Sequence, residues 1–348
     1  MSVSLAHAHA AFSQAWPAFA LVAGLLLVGA TAAREGLFAE AGARAARVRG
    51  GGMTLLASLL LVTATVTAVL NLDTAVVFMT PVLLHAARHR GIDEAAFLYG
   101  ALFMANSASL LLPGSNLTNL IVLAHEHVSG STFAARLWPA WLVAVGATIA
   151  FVGVVFRREL SHVAAQATER AAFSPRAGTA AVAVAAVLVL VLSRPALPVL
   201  GVGVAAALAG RLPVRRALDA ANPVLLGGVL GVAVLLGTVA RAVHALGDLT
   251  AHTGRWATMG IGAGGAVLVN NLPAATVLSA HAPAHPRALL LGLDLGPNLA
   301  VTGSLAAVLW LQVARANGAR PSLFRFSVLG LVLAPASLTL ALLAATTV

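Results

Sequence analysis

Long apolar stretches follow one another along this chain, separated by short loops that carry arginine, and four of them are interrupted by clusters of polar residues, Gly and Pro. About 17–25 apolar residues are enough for a helix to cross a bilayer. On that rule 16–33, 137–157, 178–193, 196–210, 223–239 and 323–346 are predicted as plain crossings, and 95–128 and 288–314 as broken ones. Two further stretches, 53–87 and 256–282, are interrupted near their middles and are predicted as helical hairpins that enter and leave on one side. The pattern predicts an all-α polytopic membrane protein with about eight full transmembrane helices and two re-entrant hairpins.

The interruptions are paired. Asn71-Leu72-Asp73-Thr74 and Asn270-Asn271-Leu272-Pro273 begin 199 residues apart. Pro113-Gly114-Ser115-Asn116 follows the first and Gly296-Pro297-Asn298 follows the second. Non-helical backbone at membrane depth is tolerated only where protein buries it or a watery cavity is lined by it. Breaks at corresponding places in two halves point to the substrate site of a secondary transporter. Each half contains a crossing (16–33 or 223–239), an amphipathic connector (34–52 or 240–255), a hairpin, a broken crossing and a plain crossing. The hairpins enter from opposite sides, so the repeats are expected to be inverted. The boundaries are a tail at 1–15, a first repeat at 16–157, a cytoplasmic loop at 158–177 and a second repeat at 178–348. Nothing before Trp16 matches the crossings 178–193 and 196–210, which leaves the first half two helices short.

Composition agrees with that reading. The chain is 60% hydrophobic and only 9% charged, where a soluble protein carries about 25% charged residues. Its mean hydropathy is +0.94. Cysteine is absent, which excludes disulfides, thiolate metal sites and cysteine nucleophiles. All 21 basic residues are Arg, and the formal net charge is +10. Nucleic acid is not the expected partner, because the arginines sort by topology: 16 fall on one side and 5, namely Arg136, Arg194, Arg241, Arg255 and Arg287, on the other. The positive-inside bias then puts the first side in the cytoplasm and both termini outside, in the plasma (inner) membrane. Met1 to Gln14 lack a basic segment and a sustained apolar core, so no cleavable signal peptide is expected.

The breaks carry the candidate chemistry. Asn71, Thr74, Asn270 and Asn271 at the hairpin tips can bind a polar solute, as can Asn106, Ser115, Asn116 and Thr118 in the first broken crossing and Asn298 and Thr302 in the second. Asp73 and Asp294 are the deep acids. Ion-pathway or proton-relay duty is the default for such residues, and capping of a helix from Thr74 is the structural alternative for Asp73. No Arg falls near the breaks, which favours a neutral, hydroxyl-rich solute exchanged against a proton. His7, His9, His85, His89, His125, His127, His281 and His285 lie in the tail or near span ends, and Glu126 is expected to be solvated; no metal site is expected. Neither a Walker loop, a GxSxG elbow nor an HExxH pair occurs, so no enzyme and no cofactor are predicted.

With these residues on view, the chain resembles the ion-transporter superfamily, and within it the arsenite efflux permeases of the ArsB type. Asn71-Leu72-Asp73-Thr74-Ala75 with Thr80-Pro81 is similar to that family's first hairpin. Ala105-Asn106-Ser107-Ala108-Ser109-Leu110 with Ser115-Asn116-Leu117 resembles its first broken helix. Asp294-Leu295-Gly296-Pro297 with Thr302-Gly303-Ser304-Leu305-Ala306 and Leu309-Trp310-Leu311 resembles its second. The resemblance spans about residues 34–345. It implies a scaffold with a mobile transport domain, commonly a homodimer, that exchanges arsenite or antimonite for protons; some relatives also work with a cytoplasmic arsenite-stimulated ATPase subunit. The wider superfamily includes citrate, dicarboxylate and sodium–proton carriers. The usual arrangement has more N-terminal helices than this chain. The absence of Cys is compatible with arsenite, since a trihydroxide can be held by Asn, Ser, Thr and Asp.

Overall fold

The apolar stretches fold as helices whose ends fall at the polar breaks. The structure, a computed structural model, describes residues 5–47, 50–125, 128–161, 174, 176–243 and 248–345. In chain order the helices are α1 (Leu5–Arg34), α2 (Leu37–Ala46), α3 (Gly52–Val69), α4 (Leu72–His89), α5 (Ala95–Ala108), α6 (Leu117–Val122), α7 (Gly130–Val155) and α8 (Ala177–Val191). They continue with α9 (Ala196–Ala209), α10 (Val214–Ala221), α11 (Pro223–Ala242), α12 (Arg255–Val269), α13 (Asn271–Leu278), α14 (Pro286–Leu295), α15 (Leu305–Ala316) and α16 (Leu323–Ala345). Five stretches among the described residues are long and apolar enough to cross a membrane: Leu5–Arg34, Gly52–Val69, Gly130–Val155, Val214–Ala242 and Leu323–Ala345.

Local chemistry sets the breaks. Pro113 has no N–H to give the helix ladder, and the residue before a proline is pushed to extended backbone. Leu112 accordingly sits at φ −126°, ψ 152°, and a short 3₁₀ turn, Pro113–Ser115, separates α5 from α6. In the second half Pro297 lies in the 3₁₀ turn Gly296–Leu299, between α14 and α15. The chain at Asn270, φ 79° and ψ 147°, leaves helical geometry altogether.

The halves interlock. The second arm of each hairpin packs on the outer half-helix of the other half's broken crossing, α4 on α15 and α13 on α6. In the same way α3 packs on α5 and α12 on α14, while α7 and α16 pack on each other. Small residues allow these approaches. A Cβ on Gly292 would lie 2.2 Å from the Met259 carbonyl oxygen of α12, and one on Gly330 of α16 would lie 1.9 Å from that of Asn298.

Side-chain contacts tie the loops into two sets. Arg34 donates to the Arg211 carbonyl (2.7 Å), Arg88 to that of Asn317 (2.7 Å) and Arg90 to that of Ala46 (3.1 Å). Arg325 lies over the Phe156 and Tyr99 rings. Glu35 accepts from the amides of Arg176, Gly178 and Thr179 and from Thr179 Oγ1. Partial burial pushes its carboxyl up, but those hydrogen bonds outweigh burial and hold it below the ordinary carboxylate range. All of these loops come from the arginine-rich set of the sequence. The other set meets around Gln14, which donates to the Ile121 carbonyl and to Ser279, and accepts from Arg241.

Three details depart from the sequence reading. The segment 1–15 was expected as a tail, yet α1 begins at Leu5 and buries Ala11, Gln14 and Ala15, because the helix runs on to reach the Ile121 and Ser279 partners. The loop with Arg211, Arg215 and Arg216 contains the short amphipathic helix α10, whose arginines lie on an exposed surface. The first connector folds as α2, but the second is partly taken up by α11, which continues to Ala242. Most of the inter-repeat loop, along with Glu126 and His127, lies outside the described residues.

Candidate functional site

Each of the four breaks ends on a helix start capped by a side chain. Asn71 Oδ1 accepts from the Thr74 amide (2.6 Å) at the start of α4, and Asn116 Oδ1 from Thr118 (3.3 Å) at α6. Asn270 Oδ1 accepts from the Leu272 amide (3.4 Å) at α13, and Ser304 Oγ from Ala307 (3.3 Å) at α15. These are the residue types whose short side chains satisfy the orphan N–H groups of a helix N-terminus. The cap at the first tip is thus Asn71, not Asp73, and the helix begins at Leu72 rather than Thr74. Asp73 is left in the first turn with no capping duty.

The four starts surround one cavity of about 430 Å³. Leu72 and Asp73 of one hairpin and Asn270 to Pro273 of the other both line it, together with Asn116, Leu117 and Ser304 to Ala306. Val224, Leu225, Gly228, Val229 and Val232 of α11 close the remaining side. A volume of this size is typical of small-ligand sites, and the polar groups among its lining residues are few. No arginine lines it.

Of the sequence candidates, Asp73, Asn116, Asn270 and Asn271 reach the cavity wall. Asn71, Thr74, Asn106, Ser115, Thr118, Asn298 and Asp294 are buried behind it. Asn106 Nδ2 donates to Asn298 Oδ1 (3.0 Å), and Asn298 Nδ2 to Ser107 Oγ (3.2 Å), which also accepts from Thr148 (2.8 Å). Asp294 Oδ1 accepts from Asn116 Nδ2 (2.7 Å) and from Thr118 Oγ1 (2.8 Å). Ser115 donates within its own turn, to the carbonyls of Ser109 and Leu112. Thr302 is the outlier: it is exposed, and its hydroxyl donates to the Val267 carbonyl (3.0 Å).

Some contributors were not among the candidates. Ser304 caps α15 at the cavity wall; its signal was a hydroxyl just before an apolar run. Thr148, in the plain crossing α7, gave no signal, because a single threonine in an apolar helix usually bonds its own i−4 carbonyl, as this one also does to Ala144. The apolar α11 wall had none either. No group of three or more His, Asp or Glu able to hold a metal occurs among the described residues.

Comparison with known proteins places this geometry. A family model described as "CitMHS: Citrate transporter" matches residues 2–307. The chain is 25% identical over 336 residues to an arsenical pump membrane protein of Escherichia coli, covering 86% of this chain and 78% of that one. It is 26% identical over 364 residues to an uncharacterized transporter of Mycobacterium tuberculosis (94% and 84% covered). Its fold is similar to the crystal structure of the Alcanivorax borkumensis YdaH transporter, with a TM-score of 0.61 at 16% identity over 97% of this chain and 86% of that one. A chain whose described residues form long apolar helices with paired breaks around one cavity is a multi-pass membrane permease rather than an enzyme, and it belongs to the CitMHS citrate transporter family.

Proposed function

We propose that this permease exports arsenite or antimonite in exchange for protons. The carrying observation is the cavity itself: amides and hydroxyls of Asn116, Asn270, Asn271 and Ser304 surround it, one carboxyl faces it, and no fixed cation is present. A neutral trihydroxide can exchange its water shell for such groups, and Asp73 can take up and release the proton that drives the exchange. The relatives named as arsenical pump membrane proteins support this solute.

A second reading has its own observation. Four helix N-termini present positive dipole ends to one cavity, which suits an anion, and the family model is described as a citrate transporter. On that reading the solute is citrate, a dicarboxylate or another small anion, carried with sodium or protons. Uptake of radiolabelled arsenite and of citrate into everted vesicles, with and without a pH gradient, separates the two. Arsenite uptake that rises with an acid interior supports export against protons; citrate uptake alone overturns it.

The same reading orients the molecule. The arginine-rich loop set faces the cytoplasm, the termini lie outside, and the two hairpins enter the inner membrane from opposite sides. Homodimerisation and docking of a cytoplasmic arsenite-stimulated ATPase belong to this proposal as partners to be tested by cross-linking.

A further inference from the structure

The two broken crossings share a register in the sequence. Asp294 lies 188 residues after Asn106, and Ser304, the cap of α15, lies 188 residues after Asn116, the cap of α6. Each cap reaches across to the other half. Asn116 Nδ2 donates to Asp294 Oδ1 at 2.7 Å, and Ser304 Oγ points to Asn106 Oδ1 at 3.5 Å. The two contacts are the same cross-brace made twice, once to a carboxylate and once to an amide.

Only one brace can change with protonation. Asp294 is buried and does not line the cavity, whereas Asn116 does both jobs: it lines the cavity and holds the carboxylate. Thr118 donates to the same oxygen, and Oδ2 has no hydrogen-bond partner. Ser109 lies beside the carboxylate, but its hydroxyl is donated to the Asn106 carbonyl at 2.8 Å. The elements packed on α14 are α5, α6, α12, α13, α16 and the turn Gly296–Leu299; their titratable side chains are Tyr99 on α5 and Arg255 and Arg325 in the first turns of α12 and α16. Asp73, on the far hairpin tip, is the other buried acid among the described residues.

We propose that Asp294 is a positioning residue that acts through Asn116. Charged, it draws the Asn116 amide inward by a charge-assisted bond; neutral, it lets that amide turn to the solute. This deepens the exchange reading above and rests on it for the solute. A hydrogen bond to a charged group exceeds a neutral one by about 1.4 kcal/mol, so solute affinity in the parent should change about tenfold between the two forms.

The test uses the purified full chain in lipid nanodiscs, with arsenite as the probe. Asn116→Ser keeps a cap for α6 but is too short to reach Asp294; Thr118→Val removes one donor and leaves Asn116. Arsenite affinity is measured from pH 5 to 9, and the carboxylic acid stretch is followed by infrared difference spectroscopy without solute, with Asp294→Asn assigning its band. A pH dependence of affinity that keeps its full span in Thr118→Val but loses about tenfold of that span in Asn116→Ser and Asp294→Asn, the remainder belonging to Asp73, supports the proposal. A parent-like pH profile in Asn116→Ser overturns it. If no form binds arsenite, the solute assignment fails, and the infrared arm decides alone: an Asp294 band displaced in Asn116→Ser supports the brace, and an unchanged band overturns it.

Discussion

Asp73 and Asp294 are both buried, but they sit differently: one faces the cavity and the other stands behind Asn116. Asp73→Asn, nearly isosteric, is therefore expected to fold, to retain exchange of labelled for unlabelled solute, and to lose net transport driven by a proton gradient down to the level of empty vesicles. Retention of gradient-driven transport at the parent rate would remove Asp73 from the coupling. Glu35 offers a different residue-level check, outside the spans. Its hydrogen bonds favour the charged form, so its folded value lies below its unfolded one, and the stability it contributes is present above the unfolded value near 4.5 and lost as the pH falls through the lower folded value. Glu35→Gln should lower the melting temperature by a few degrees at pH 7, with the loss on the order of 1 kcal/mol. The difference from the parent should shrink steadily as the pH drops below 4.5.

At the scale of elements, packing depends on glycines at crossings. Gly330→Leu would drive its side chain into the turn at Asn298, and Gly292→Val into the Met259 backbone of α12. Each is expected to cost about 1–3 kcal/mol and to lower the temperature at which the detergent-solubilised protein aggregates. Gly227→Ala on α11 meets nothing within 4 Å and should be neutral or gain up to about 1 kcal/mol from helix propensity. Such pairings explain how much could be read before the structure. The apolar stretches and all four breaks were legible, because an Asn cap or a Pro-Gly pair inside an apolar run changes the local pattern. Capping was only the alternative reading of Asp73, and the structure gives that duty to Asn71: both are acceptable caps, and only the backbone chooses between them. The bonds from Asn116 to Asp294 and from Asn106 to Asn298 were not legible: their partners are 178 and 192 residues away and become neighbours only when the halves interlock. For the same reason the sequence could not say which polar residues face the cavity and which face each other.

For the whole molecule, the two loop sets make an orientation test direct, because the chain has no cysteine to remove. Leu218→Cys on exposed α10 should react with an impermeant thiol reagent only from the cytoplasm, and Ala282→Cys beyond α13 only from outside. External labelling at position 218 in intact cells would reverse the orientation. On the exchange reading, the proton carried by Asp73 also limits how hard the molecule can pump. A proton crossing a potential of 100 mV contributes about 2.3 kcal/mol, and every 1.4 kcal/mol corresponds to about a tenfold ratio of concentrations. With Asp73 carrying one proton per cycle, each solute receives about 2.3 kcal/mol for each 100 mV. A neutral solute could then be held about fortyfold more dilute inside a cell than outside for each 100 mV, and without Asp73 that gradient would vanish. On that reading, the steepness of the solute gradient a cell can hold is written into one carboxyl group.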